Sequence, residues 1–583
     1  MAPALARPLA LPRFRALWVA SVFSNVGGFF QAVAGAWLML DMTGSPVWVS
    51  AMAASTTLPL LFLALPSGAL ADLANRRNVL LATQGTMLAA VVGMAVVALA
   101  GLVTPPLLLA FGLLLGVGSA FNAPVWMSMV PDLVPRELVP DAVALNSVSF
   151  NAARAVGPAL GGLVVATAGP GVAFGINAFT YLGILAVVAS FPAAEWAPHE
   201  EAHMSRAIAA GVRYARFSPA LLWLLGISAG FALTSASLQV LLPNVTRDSL
   251  GRGAGTYGLL LGAMGLGALA GAFTRARATA GLGRHLVAAG IACFGAAGVG
   301  VGLSPVVWMT ALLMGLAGVV WVWALTTLNA TIQTLSHDWV RGRALSLYTL
   351  AFSGVWPLGS LLAGGVADAV GADWAMVTLC GAALLLGVGA WRMPIRGIAE
   401  VHAPEIPQDY DLTPHGDAEL AGGPVLVLNS WTIDESRLEG FLEAMAELRR
   451  VRLRTGAFRW RLYRHFEDPR RMTEAFSLDS WEEHLRQHRR IDAVDVEVIR
   501  WARSFDVADG PTARHLVGFE VVDPRHRPDW EDLIVHHRQV HEEGHGIPLA
   551  PAWEPPGEKR AVAEVRRAQP GGDESAHWRI TPR

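Results

Sequence analysis

The stretch Gly68-Ala-Leu-Ala-Asp72-Leu-Ala-Asn-Arg76-Arg77 decides the fold. It places an acid and two arginines in a short turn between two apolar runs, 48–71 and 78–101. A bilayer-crossing helix needs about 20 mainly apolar residues. Two such runs joined by a charged turn read as a membrane hairpin. Outward from it, ten more runs of spanning length lie near 14–40, 106–130, 141–166, 171–192, 219–244, 255–274, 285–303, 306–335, 344–367 and 374–392. The breaks carry turn chemistry, as in Asp41-Met-Thr-Gly-Ser-Pro46, Thr104-Pro105-Pro106, Gly169-Pro170-Gly171 and Ser304-Pro305.

Composition agrees. The 583 residues are 53% hydrophobic and 15% charged, with mean hydropathy +0.43. Soluble globular chains carry roughly 25% charged residues. The net charge of −2 argues against a nucleic-acid binder. That charge averages two unlike parts. Residues 1–396 hold 19 Arg, no Lys and 12 acidic residues, a balance of +7, and the remainder balances at −9. The first part reads as a membrane domain and the rest as soluble. Cys293 and Cys380 sit in apolar runs, read as core positions, and supply no disulfide scaffold or cysteine-rich metal site.

Arginine placement gives an orientation. With the N-terminus inside, about 16 Arg fall in inner segments, against Arg247 and Arg252 in outer ones. Twelve spans then return the C-terminus to the cytoplasm. A weak repeat of about 200 residues pairs Ala144-Leu145 with Ala344-Leu345, and Asn122/Asp132 with Asn329/Asp338. Two six-helix halves joined by a polar loop, 193–218, are the parallel-repeat layout of secondary transporters.

Gly68, Asp72, Arg76 and Arg77 resemble the signature between the second and third helices of the major facilitator superfamily, G-x-x-x-D-R-x-G-R-R, with Leu73 and Asn75 departing from it. The resemblance implies a latch at the inner face. In the fifth span, Gly157, Pro158, Gly161 and Gly162 resemble the antiporter-associated G-x-x-x-G-P-x-x-G-G motif, with Ala153 in place of its first glycine. Proline removes a backbone hydrogen bond and glycine permits close helix packing, which suits a bending helix.

Arg154 is the one charge read deep in a span, about 13 residues or roughly 20 Å along its helix. Buried charges in membranes are functional by default. Two roles stay open: attracting an anionic or phenolic substrate group, or bonding carbonyls of a broken neighbouring helix. Asn25, Gln31, Asn122, Asn151, Gln239 and Asn329 are cavity candidates, with Asn146, Asn177, Asn244 and Gln333 beside them. Trp321, Trp323 and Trp356 offer an aromatic wall. No carboxylate falls mid-span, which disfavours organic cations. Asp41 is the proton-coupling candidate, with a turn cap as its alternative. No nucleotide-binding loop, cofactor motif or metal set is present, so an ion gradient is the expected energy source.

Residues 397–423 read as a linker, 424–523 as a small domain and 524–583 as a disordered tail. The small domain shows strands at 424–431, 458–466, 472–478 and 515–522, a helix from Asp434 to about 453, and a helix capped by Ser480. The order βαββαβ is ferredoxin-like. Arg452-Leu-Arg-Thr-Gly456-Ala457, Trp460 and Ser480-Trp481-Glu-Glu-His484-Leu-Arg-Gln-His488 resemble the domain that follows the transporter in the transmembrane secretion effector family, which includes relatives of enterobactin exporters. The domain is also similar to antibiotic-biosynthesis monooxygenases, dimeric α+β barrels. This implies a dimerisation or regulatory module. The alternative is a fused cofactor-free oxygenase using Asn429, Trp431, Trp460 and Trp481.

The expectation is therefore an all-α, twelve-helix membrane domain with an α+β cytoplasmic domain. It would export small amphipathic molecules, siderophore- or drug-like, by proton antiport, and it would lie in the cell membrane.

Overall fold

The computed structural model describes residues 4–73, 75–129, 133–191, 211–336, 339–392, 424–508 and 510–518. The linker and tail readings, Asp132, Asp338 and most of the 193–218 loop lie outside them. Eleven helical stretches are long and apolar enough to cross a membrane. One of these, Ala254–Leu303, is two helices separated at Gly283, whose φ of +49° only glycine adopts freely. The spans are α1 (Pro12–Thr43), α2 (Pro46–Leu73), α3 (Arg76–Leu99), α4 (Pro105–Met129), α5 (Val139–Ala168) and α6 (Pro170–Ala189). They continue with α7 (Pro219–Ser249), α8 (Ala254–Leu282), α9 (Leu286–Leu303), α10 (Val307–Leu335), α11 (Arg341–Val370) and α12 (Ala372–Arg392). Helix α8 runs eight residues beyond the expected end. Cys293 is exposed on the outside of the bundle, and only Cys380 is core.

Helix starts follow the sequence. Pro12, Pro46, Pro105, Pro170 and Pro219 open their helices, where the missing N–H costs nothing. Two helices are interrupted by π turns, Val245–Ser249 in α7 and Leu350–Gly354 in α11.

The packing repeats with an offset of six helices. In the first half α1 packs on α5 and α6, α2 on α4, and α3 on α4 and α6. In the second, α7 packs on α11 and α12, α8 on α10, and α9 on α10 and α12. The weak sequence repeat is thus a true structural one. The halves meet through two equivalent pairs, α5 with α8 and α2 with α11.

These seams lie toward the distal end of the bundle, which carries the Asp41–Pro46 turn. A Cβ built on Gly162 would stand 2.7 Å from both the Ala254 carbonyl oxygen and the Gly258 Cα. One built on Gly364 would stand 2.6 Å from Ser50 Oγ. Backbone therefore touches backbone across the α5–α8 seam, the small-residue mode of helix association in lipid. Trp37 stacks on Tyr257 at 6.1 Å above it. Arg247 crosses from α7 to donate to the Leu40 carbonyl at 3.0 Å.

The small domain consists of β1 (Val425–Thr432), α13 (Leu438–Thr455), β2 (Arg459–Arg464), β3 (Arg471–Leu478), α14 (Trp481–Arg489), α15 (Ala493–Arg503) and β4 (Thr512–Val517). Its antiparallel sheet has the order β2-β3-β1-β4, as a ferredoxin-like chain requires. Ser480 caps α14 by accepting from Glu483 N. The second crossover holds two helices, and an Asp492–Asp495 capping box starts α15. Trp431, Phe441, Met445 and Leu448 form the core. Glu474, fully buried, accepts from Asn429 Nδ2 at 2.7 Å, Trp460 Nε1 at 2.9 Å and Arg452 Nε at 3.1 Å.

The domain docks on the second half. Arg213 donates to the Gly456 carbonyl, the Arg490 guanidinium lies 3.8 Å from the Trp339 ring centre, and Phe217 packs on the Val425–Leu453 core.

Three histidines cluster between α14 and β4. His484 Nε2 bonds His515 Nε2 at 3.1 Å, and the His488 ring lies 4.7 Å from His484. That bond needs one ring to donate and the other to accept, so the accepting ring is neutral. Burial, then His488, His515 and Arg452, push His484 down to about 3. Burial, then Arg452 and His515, push His488 down to about 4.

Unfolded histidine titrates near 6.5, so the unfolded chain binds more protons between these values. The domain is expected to keep full stability above about pH 6.5 and to lose it as the pH falls toward 4. Tryptophan fluorescence of the full chain should report an acid transition there, shifted down by roughly one pH unit in His484→Gln. A transition unmoved by that variant would contradict the assignment. At the seam, Gly162→Leu should force α5 from α8 at a cost of about 1–3 kcal/mol. A single Ser50→Cys, fully buried at the α2–α11 seam, in a background lacking Cys293 and Cys380 should then react at least about tenfold faster with a water-soluble maleimide.

Candidate functional site

Arg154 sits on α5 eight residues before Gly162, about 12 Å toward the proximal end, the end that carries the N-terminus. Its guanidinium lies 5.8 Å from the centre of the Trp321 ring on α10, so the contact crosses from one half to the other. Among the described residues it has no carboxylate or hydrogen-bond partner. A cation–π contact yields about 0.5–2 kcal/mol, less than the several kcal/mol that taking a guanidinium out of water costs. Half-buried, the guanidinium stays open to an anionic partner.

Trp321 belongs to an aromatic cluster. Phe231 and Phe294 are tilted against it at 5.4 and 5.3 Å, and Phe352 meets it edge-on at 5.7 Å. Tyr348 stacks on Phe352 at 6.4 Å. Phe352 stands within the π turn of α11, the kind of helix irregularity that recurs at functional sites. Sequence reading singled out Trp321 but missed the phenylalanines and Tyr348. They come from α7, α9 and α11, and nothing local marks them as neighbours. Trp323 turns away and donates to the Gly271 carbonyl and Thr274 Oγ1. Trp356 is half-buried just after the π turn.

The polar candidates divide. Asn25 donates to Ser149 Oγ, and Asn122 accepts from Gln84 Nε2. Gln31 accepts from Asn177 and donates to Met94 Sδ. These bonds knit the first half. Asn151 bonds the Ser147 carbonyl and Asn329 accepts from Gln333, each within its own helix. Gln239 and Asn146 are half-buried. Asn244 is fully buried, and neither amide atom finds a partner among the described residues.

In the loop signature, Gly68 and Asp72 lie in the last turns of α2, and Arg76 and Arg77 open α3. Asn75 caps α3 by accepting from Asn78 N, which gives its departure from the superfamily glycine a local reason. Arg77 donates to the Ala189 carbonyl at the end of α6, where a helix dipole favours a cation. In α5, Gly157 faces Phe29, Gly161 faces Phe30, and Pro158 and Gly162 face Gly258. That motif builds the seam. Its partner stripe on α8, Gly258, Gly262 and Gly265, went unread in the sequence.

Asp41 is exposed, with Arg247 and Trp37 near it. It does not cap the turn, which Gly44 closes in a left-handed conformation with its N–H on the Leu40 carbonyl and Thr43 supports. In the small domain, Asn429 and Trp460 are committed to Glu474, and Trp431 is core. His484 is buried packing.

Known proteins place this geometry. The sequence profile of the transmembrane secretion effector family matches residues 3–521. The multidrug efflux pump Tap of Mycobacterium tuberculosis is 28% identical over 437 residues, covering 71% of this chain and 98% of Tap. The enterobactin exporter EntS of Escherichia coli is 28% identical over 392 residues, covering 66% of this chain and 87% of EntS. Among solved structures, a bacterial homologue of the lysosomal transporter Spinster aligns with TM-score 0.53 at 15% identity, over 67% of this chain and 98% of that one. A bacterial homologue of the iron transporter ferroportin aligns with TM-score 0.53 at 16% identity, over 65% and 98%. At those identities the likeness establishes the fold. With the doubled six-helix packing in place, the chain belongs to the transmembrane secretion effector family of major facilitator transporters.

Proposed function

We propose that this transporter exports small amphipathic organic molecules, siderophore- or drug-like, by alternating access driven by proton antiport. The observation that carries the reading is Arg154, lying over Trp321 across the two halves without a carboxylate partner. A substrate bearing an anionic or phenolic group satisfies the guanidinium, while its rings lie against Trp321 and Phe352. The named relatives that export drugs and enterobactin support this substrate class.

The arginine distribution supports inner-membrane placement with the N-terminus and the small domain in the cytoplasm. In that orientation the glycine seam closes the outer end, and Arg154 stands on its cytoplasmic side. Rocking of the halves about the site opens the seam and closes the proximal end. The Gly68–Arg77 loop latches that proximal end in the alternate state. Asp41, near Arg247 at the outer end, is the proton carrier: its protonation removes a negative charge beside the Arg247 that holds the Leu40 carbonyl of α1. The domain limits proposed are 1–396 for the transporter, 424–523 for the small domain, and 397–423 and 524–583 for linker and tail.

Arg154→Ala should lower export of a phenolic or anionic substrate about 10- to 100-fold, the worth of a hydrogen bond to a charged group, with membrane levels unchanged on immunoblots. Equal export by the variant would remove Arg154 from the site. Dissipating the proton gradient, or Asp41→Asn, should raise cellular accumulation to that of cells lacking the gene. Export that persists in both would exclude proton coupling through Asp41.

A further inference from the structure

A cavity of about 1310 Å³ lies where the small domain meets the residues leading into α7. Five arginines line it: Arg213 and Arg216 from that approach, Arg449 from α13, and Arg459 and Arg461 from β2. No acidic residue does. Several other arginines of the domain are paired. Arg450 meets Glu447, Arg452 meets Glu474, Arg454 meets Asp495 and Arg464 meets Glu435. Arg216, Arg449, Arg459 and Arg461 form no ion pair among the described residues.

Register explains the shape. Strand β2 alternates, sending Trp460 and Leu462 into the helix-covered core and Arg459, Arg461 and Tyr463 to the open face. Across the sheet, Arg459 pairs with Ser477 and Arg461 with Ala475, while Leu426 pairs with Ser477 from the other side. Small side chains thus make a low, flat floor between guanidinium walls. Phe217, Phe458 and Tyr463 add ring faces to the lining. Guanidinium forks bind carboxylates and sulfonates in the plane and stack on rings. A concentration of them without acids focuses positive potential.

We propose that this cleft binds small aromatic polyanions, planar molecules with two or more carboxylate, sulfonate or phenolate charges, and holds them at the mouth of the transport path. The loading role rests on the proposed export function; the binding does not. A phospholipid headgroup offers charge but no ring for the floor and aromatic walls, which favours the organic anion.

The full chain in phosphatidylcholine nanodiscs is titrated with pyranine (8-hydroxypyrene-1,3,6-trisulfonate), read by fluorescence anisotropy. Arg459→Gln/Arg461→Gln should weaken binding at least about tenfold. Ala475→Trp, which fills the floor without changing charge, should weaken it comparably, and Arg450→Gln should leave it unchanged. Arg154→Ala should also leave it unchanged, because that residue belongs to the other site. Equal loss with Arg450→Gln, displacement by millimolar inorganic phosphate, or abolition in phosphatidylglycerol nanodiscs would overturn the proposal, the last in favour of lipid. In transport, the double variant should raise KM with kcat unchanged. Lost pyranine binding with unaltered export KM would remove the loading role and leave the binding site standing.

Discussion

The contact on which the rest of the structure depends is the one between Gly162 and Gly258, where α5 and α8 touch without side chains between them. In a bilayer no hydrophobic force draws helices together, so association rests on close packing and backbone complementarity. Two bare surfaces meeting this closely bring Arg154 of one half within reach of Trp321 of the other. They also set the distal end shut, with Arg247 clasping the end of α1 above them. A glycine seam holds well when closed and leaves no interlocked side chains to disentangle when it parts. It therefore suits a joint that must open and close.

What the sequence made legible was whatever the bilayer or a short turn dictates locally. Spans, proline starts and the arginine bias needed no knowledge of neighbours. The Arg154 anomaly stood out because a charge in a span is costly wherever it is. The Ser480 cap and the alternation of Val425, Val427 and Trp431 gave most of the small domain. What stayed hidden depended on which helices meet. Gly258, Gly262 and Gly265 looked like ordinary span residues until α5 lay against them. Phe231, Phe294 and Phe352 are unremarkable on three separate helices and become a wall only together. The same ambiguity worked in reverse for Asn25, Gln31 and Asn122, where polarity in a span marked interhelical bonds.

The relatives sharpen a division within the chain. The alignment with Tap covers nearly all of that pump but 71% of this chain. Part of this chain therefore lies outside the alignment with that pump. The small domain commits two of the four residues named for an oxygenase pocket, Asn429 and Trp460, to a buried carboxylate, Glu474. It turns its other face, with its arginines, toward the approach to α7.

The docking of that domain has a thermodynamic consequence. Its described contacts run through Trp339 of the second half and through Arg213 and Phe217 of the segment leading into α7, which Tyr214 ties to the Leu335 carbonyl of the second half. A body fastened to one half is carried as a passenger when the halves rock. Energy released inside it then shifts the balance between the two states only if it alters a contact that differs between them. Binding in the proposed cleft, or acid melting of the domain, would thus leave the proposed gate insulated unless the Arg490–Trp339 stack transmits it.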